Sequence, residues 1–533
     1  MSGDRALASP DTGRNGAGAE APEAAGTGKE GVRVANGASD AATSPSTWIR
    51  LLRGLFWITL VIAIGAEGAV DIASISIVAC LLAAILVLSI GYGEIARASV
   101  YVAAIAAIGL AALIGVTWLQ SQRGLEGFQE NPAWKLAQEQ ISGIKGAVSI
   151  APEQSWSSIV YFCPVLAFLV CLALFRRQRE AMRFLHWLCY FNTVVAVLGI
   201  AQFYLLSDTL SFTEKQFYLD SLTLTFVNRN SAGTFLGIGL VMSVAFMLQS
   251  LRMVDPAKFF ERLLSSGRAT YRDYFFVAVF FGLGTIQLIA LVLTQSRGAI
   301  SASAAALVAL IAVLSGHPLT GGRRSSTQQT WQRFTPFIRF AAVAGMVAAA
   351  FGLFSGRAAY RQALGSDEAR LCTFRSVWKA IGDSWPYGTG FGNFANIFPA
   401  YRDSACSGIS GVWEAAHNFY LEGLLGLGMT FAAVFGVFVT TLLATFIYGL
   451  RHRRRYRFVA AMGLAVLVLI GLHALVDFSL QIPGIAIFVA GVFAGCVTIC
   501  FARDESADAS LASDPPLRRK RERRRPEPEA ARG

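Results

Sequence analysis

Charge is scarce along this chain. Asp, Glu, Lys and Arg make up 15% of its 533 residues, against 54% hydrophobic. That balance excludes an ordinary soluble globular domain and makes a bilayer the expected solvent. Eight cysteines and five histidines occur without the spacing of a zinc site. Six of the cysteines (Cys80, Cys163, Cys171, Cys189, Cys496, Cys500) lie inside apolar runs, where a thiol behaves as a small hydrophobe. No Asp-x-Asp pair exists to hold a metal-bound nucleotide, which favours chemistry needing no metal or cofactor. Residues 1–47, rich in Gly, Ala, Asp and Glu, lack the apolar core of a signal peptide, so the first span is expected to direct insertion. Internal repeats and mid-span charges are also missing, which counts against alternating-access transport.

What is present is a succession of apolar runs, each near the roughly 20 residues that span a hydrocarbon core. They predict an all-α, polytopic bundle of about 12 spans: 49–66, 70–90, 100–120, 157–175, 184–206, 231–251, 274–294, 299–315, 337–354, 419–448, 458–473 and 483–500. The domain reading is a disordered tail over 1–47, a membrane domain over 48–502 and a basic disordered tail over 503–533. Arg176-Arg177-Gln178-Arg179, the stretch 252–272, Arg323-Arg324 and Arg451-His452-Arg453-Arg454-Arg455 fall on one side, which the positive-inside rule assigns to the cytoplasm with both tails. The net charge of +12 thus reports topology and contact with membrane lipid, not nucleic acid.

The other side receives the unusual residues. Asn131-Pro132 reads as the start of a short interfacial helix carrying Trp134 and Ile141. Asn228-Arg229-Asn230 and Ser296-Arg297-Gly298 each open a span, placing two arginines at helix ends on one face, either snorkelling or binding. His417-Asn418 enters a span, and His473 stands one turn before Asp477. A neutral imidazole there suits proton removal from a hydroxyl; a structural histidine is the alternative. A long loop over 355–417 adds Arg357, Arg361, Arg370, Arg375, Lys379 and Arg402 among many aromatics, a composition suited to phosphate and sugar. Cys372 and Cys406 share that loop and form either a disulfide or two free thiols. Gly388-Thr389-Gly390-Phe391-Gly392 has the glycines of a dinucleotide turn without its strand and helix, and reads as a loop.

These strings resemble the O-antigen ligase and polymerase family of bacterial envelope glycosyltransferases. The likeness rests on Ser149-Ile150-Ala151-Pro152, Thr225 to Asn230, Leu293 to Ala299, Arg375-Ser376-Val377-Trp378, Pro386 to Phe394, His417 to Glu422 and His473 to Pro483, in the family's order over about 147–500. The resemblance implies glycan transfer from an undecaprenyl-pyrophosphate carrier to a hydroxyl of a glycan, lipid or protein acceptor. It places the reaction on the periplasmic side of the inner membrane, without a metal and with inversion. It assigns His417 as general base and Arg297, Arg375 and, more weakly, Arg229 as pyrophosphate contacts. Asn228, Asn230, Ser296, Asn418, His473 and Asp477 support them. The chain departs from the family pattern at Phe419 and Gly426, where acidic residues are usual; this leaves the base in place and bears on acceptor recognition. Ligase and polymerase stay open, and a transporter or flippase for a lipid-linked glycan is the rival reading.

Overall fold

The computed structural model describes residues 47–90, 96–210, 213–253, 268–315, 357–403 and 412–502. The expected span 337–354, Arg323-Arg324, Cys406 and both tails lie outside them. The first half of the fold comprises α1 (Thr47–Gly65), α2 (Ile72–Ser89), α3 (Arg97–Ser121), α4 (Ala133–Gln140), α5 (Pro152–Ser157), α6 (Cys163–Leu174) and α7 (Gln178–Leu205). A two-residue hairpin, β1 (Thr209–Leu210) with β2 (Thr213–Glu214), precedes α8 (Arg229–Met253), α9 (Arg268–Leu293) and α10 (Arg297–Ser315). The second half holds α11 (Arg357–Ser384), α12 (Phe394–Tyr401), α13 (Phe419–Leu427), α14 (Met429–His452), α15 (Arg457–His473) and α16 (Pro483–Phe501). Among the described residues, ten helical segments are long and apolar enough to cross a membrane, and α15 is a shorter apolar helix. The architecture is all-α and polytopic, as the hydropathy predicts.

Burial sorts the spans into a centre and a rim. The central helix is α16, apolar on every side, with 94% of its window buried against 22% for α3 and α14. It packs on α6 and α7, while α8 packs on α9 and α10 on α15. Lipid supplies no hydrophobic drive between helices, so polar clasps and close packing hold them. One such clasp lies wholly inside the bundle. Gln287 of α9 donates to Asn192 Oδ1 at 3.1 Å and Thr193 Oγ1 at 2.9 Å on α7, and accepts from Ser243 of α8 at 2.7 Å. Asn192 in turn donates to the Phe235 carbonyl at 2.7 Å. Arginines tie the opposite end of the bundle: Arg53 donates to the Leu174 carbonyl and pairs with Glu180 at 2.7 Å.

Two segments differ from the sequence reading. The expected single span 419–448 is broken at Gly428, whose φ of 57° leaves the helical region. A side chain there would collide with the Pro386 carbonyl, so the backbone of 386–390 lies directly against the break. The stretch expected as one long loop over 355–417 contains the 28-residue helix α11 and the short α12. Val377, Ala380 and Ile381 bury one stripe of α11 against Phe394, Ile397, Phe398 and Leu425, forming a small second core outside the spans. Asn131 Oδ1 accepts from Ala133 N–H at 3.1 Å and so opens α4, which carries Trp134 and ends at Ile141. Cys372, on α11, is disulfide-bonded; the six cysteines of the apolar runs are free thiols.

Candidate active site

The site forms at the end of the bundle where α8, α10 and α16 begin and α15 ends. Asn228 Oδ1 accepts from Asn230 N–H at 2.8 Å, fixing the first turn of α8. Asn230 then spans two neighbours: its Nδ2 donates to Asp477 Oδ1 at 2.9 Å, and its Oδ1 accepts from Ser296 Oγ at 2.8 Å. Asp477 is fully buried and also accepts from the backbone N–H and hydroxyl of Ser479. One turn deeper, His473 Nδ1 meets Thr234 Oγ1 at 2.7 Å. A Cβ on Gly298 would come within 3.1 Å of the His473 ring, so the start of α10 lies against the end of α15. Ser296, Asn230, Asp477 and Ser479 therefore form one hydrogen-bonded chain that joins the starts of α8 and α10 to the α15–α16 connection, and every member bonds to another.

His417 is held beside this chain by backbone bonds. Asn418 caps α13, accepting from Tyr420 and Leu421 N–H at 3.0 and 3.1 Å, and its Nδ2 donates to the Leu475 carbonyl at 2.8 Å. Phe419 N–H donates to the Ala474 carbonyl at 3.0 Å. The imidazole stands edge-on between Trp413 and Phe478, with ring centroids 5.4 and 4.9 Å away. Burial and the nearby Arg370 charge push its pKa down to about 4, with Asp477 resisting, so the ring is neutral at physiological pH.

Guanidinium groups from three helices share the field at this end. Arg229 of α8 lies within electrostatic reach of Arg297 on α10 and Arg370 on α11. It also rests over the Tyr218 ring at 5.2 Å. Lys215, buried in the preceding loop, donates to the Ser221 carbonyl at 2.7 Å and steadies the segment that carries Tyr218. Arg375 stands apart: it is exposed on α11, five residues past Arg370. At 3.6 residues per turn the two point about 140° apart, and Arg370 is the one whose charge reaches His417. Among the residues read from the sequence, the structure gathers Asn228, Arg229, Asn230, Ser296, Arg297, His417, Asn418, His473 and Asp477, and not Arg375.

A cavity of about 1340 Å³ opens from the imidazole. Its polar end is lined by His417, Glu422, Gln481, Asn228 and Ser231. Its remaining walls come from apolar faces of the spans, among them Ile108, Ala112, Phe168, Val437 and Phe438. The glycine-rich 388–392 string builds the scaffold of this cavity and not a phosphate loop. Thr389 N–H donates to the Leu425 carbonyl at 2.8 Å, and Ile150 N–H to the Thr389 carbonyl at 3.3 Å. Asn393 donates to Ser149 and Ser155 at 2.9 and 2.7 Å, while Gln120 bridges the Tyr387 and Gly426 carbonyls. Two separate strings of the sequence, 149–152 and 386–394, thus meet in one clasp. Among the described residues no group of three or more His, Cys, Asp or Glu side chains is placed to hold a metal ion.

No curated protein matches the chain. Residues 278–436, from within α9 through the first turns of α14, match a family model described as O-antigen ligase. That stretch carries Arg297, Arg370, His417 and Glu422, and it leaves Arg229, His473 and Asp477 to the flanking helices. Over residues 278–436 this multi-pass membrane protein is similar to the O-antigen ligase family.

Proposed function

We propose that the protein transfers a glycan from undecaprenyl pyrophosphate to an acceptor hydroxyl at the periplasmic face of the bacterial inner membrane. The family match supports an O-antigen ligase type of activity and, with it, a lipid-linked donor and a glycan, lipid or protein acceptor. The observation that carries the reading is the neutral His417 imidazole on the cavity wall, within the field of a guanidinium group that also reaches Arg229. In a single displacement the acceptor oxygen bonds to the anomeric carbon as the carbon–oxygen bond to pyrophosphate breaks. The acceptor proton passes to His417, the bonding pair leaves with the undecaprenyl pyrophosphate, and the configuration inverts. Arg229, Arg297 and Arg370 stabilise the charge growing on the leaving group, so base and cations share one task without a metal ion. The positive-inside asymmetry of the basic loops supports a site outside the cytoplasm with both termini within it.

His417→Ala tests the reading. Transfer of the lipid-linked glycan in membranes should be abolished while the protein stays at its normal level; substantial retained transfer removes His417 from the base role. The glycans of a deletion strain decide between the two remaining activities. Long chains stranded on the carrier indicate a ligase, and single repeats indicate a polymerase.

A further inference from the structure

We propose that Glu422 is a positioning residue for His417, clamping both segments that hold the imidazole. Glu422 lies one turn into α13 and on the cavity wall. Its Oε2 accepts the N–H of Ala416, the residue directly before His417, at 2.8 Å. The side chain of Gln481, at the end of the short turn Ser479–Gln481, lies close enough to favour the charged carboxylate. Phe478, directly before that turn, is the ring that stands edge-on to His417. One carboxylate therefore ties the chain entering His417 to the chain that carries its neighbour.

The clamp answers a specific need. His417 has a φ of 53°, a left-handed backbone that a side-chain-bearing residue adopts only when its surroundings enforce it. The Phe419 N–H to Ala474 carbonyl bond fixes the chain two residues after the imidazole. Ala416 N–H to Glu422 fixes it one residue before. Remove the second and the left-handed turn is held on one side alone. Burial raises the Glu422 carboxyl to about 7, and its two donors pull the other way. An accepting oxygen is what this role requires, and the amide of glutamine supplies one as well as a carboxyl does.

The inference rests on the reading of His417 as the base, and three full-length variants separate the two. The probe is the lipid-linked glycan that accumulates in the deletion strain, presented to the purified protein. Glu422→Ala should lower kcat about 100-fold, the loss expected from an imidazole displaced by about 1 Å, with the donor KM little changed because no pyrophosphate contact is lost. Glu422→Gln should recover most of that kcat. Full kcat in Glu422→Ala beside an inactive His417→Ala overturns the clamp and leaves the base standing. A Glu422→Gln variant as inactive as Glu422→Ala overturns it too, since the charge and not the acceptor would then matter. Active His417→Ala overturns the base and the clamp together. Should Glu422→Ala fail to reach the membrane, Gln481→Leu removes one of the two ties: a lowered kcat at unchanged donor KM supports the clamp, and an unchanged kcat refutes it.

Discussion

At the scale of single residues, the site turns on which charges reach His417. Arg370 acts on the imidazole and on Arg229, whereas Arg375 points to another face of α11. A charged hydrogen bond to a phosphate contributes about 1.5 to 3 kcal/mol, a factor of about 10 to 160 in rate. Arg370→Ala should therefore lower transfer by about that factor, and Arg375→Ala by much less; the reverse ranking in a transfer assay would return the pyrophosphate role to Arg375. The pH profile follows from the same field. As the proposed base His417 acts in its neutral form, and burial and Arg370 push its pKa down to about 4, so the acidic limb of kcat/KM should fall well below the 6.5 of an ordinary histidine. In the proposed complex, bound pyrophosphate would offset the charge of Arg370 and raise that pKa. The acidic limb of kcat should thus lie at higher pH than that of kcat/KM. Coincident limbs near 6.5 would show that neither burial nor Arg370 governs the imidazole.

At the scale of elements, the Gln287 clasp should matter to assembly and not to chemistry. It joins α7, α8 and α9 at a depth where no water competes, and each interhelical bond there contributes about 0.6 kcal/mol on average. Gln287→Leu removes three bonds, strands Asn192 Oδ1 and leaves Ser243 only Cys189 as a partner, so detergent-solubilised protein should unfold at lower temperature while the donor KM is unchanged. An unaltered melting temperature would show the clasp to be incidental. These elements also mark what the sequence discloses. The spans are legible because about 20 apolar residues in a row need no partner to be recognised. The break at Gly428 is not, since hydropathy does not register a backbone angle. The helix α11 reads as loop because its apolar stripe is thin and its many arginines mask the period of 3.6. Without that helix, Arg370 and Arg375 cannot be told apart. His417, Asn230 and Asp477 stand out as polar groups at span ends; the bond from Ser296 through Asn230 to Asp477 joins positions far apart in sequence and appears only in the fold.

At the scale of the whole molecule, the cavity relates the bundle to its substrate. Its volume of about 1340 Å³ exceeds the 300–1,000 Å³ usual for small-molecule pockets, and its lining changes from polar at His417 to apolar between α3 and α14. A wholly polar ligand would leave the apolar walls uncovered, and a wholly apolar one would strand Glu422, Gln481 and Asn228. Under the proposed function the fitting ligand is an amphiphile whose polar part lies by His417 and whose hydrocarbon lies against the spans. Apolar burial is proportional to area, at about 25 cal/mol per Å², so on the proposed function the apolar walls should contribute to donor binding and little to the chemical step. Ala112 lines the cavity from α3. Ala112→Trp should narrow the cavity along α3 and raise the KM for a full-length polyprenyl donor at nearly constant kcat. A donor with a short prenyl chain, whose tail ends before that point, should be spared. If the two donors suffer equally, or if kcat falls and KM holds, the hydrocarbon does not lie along α3.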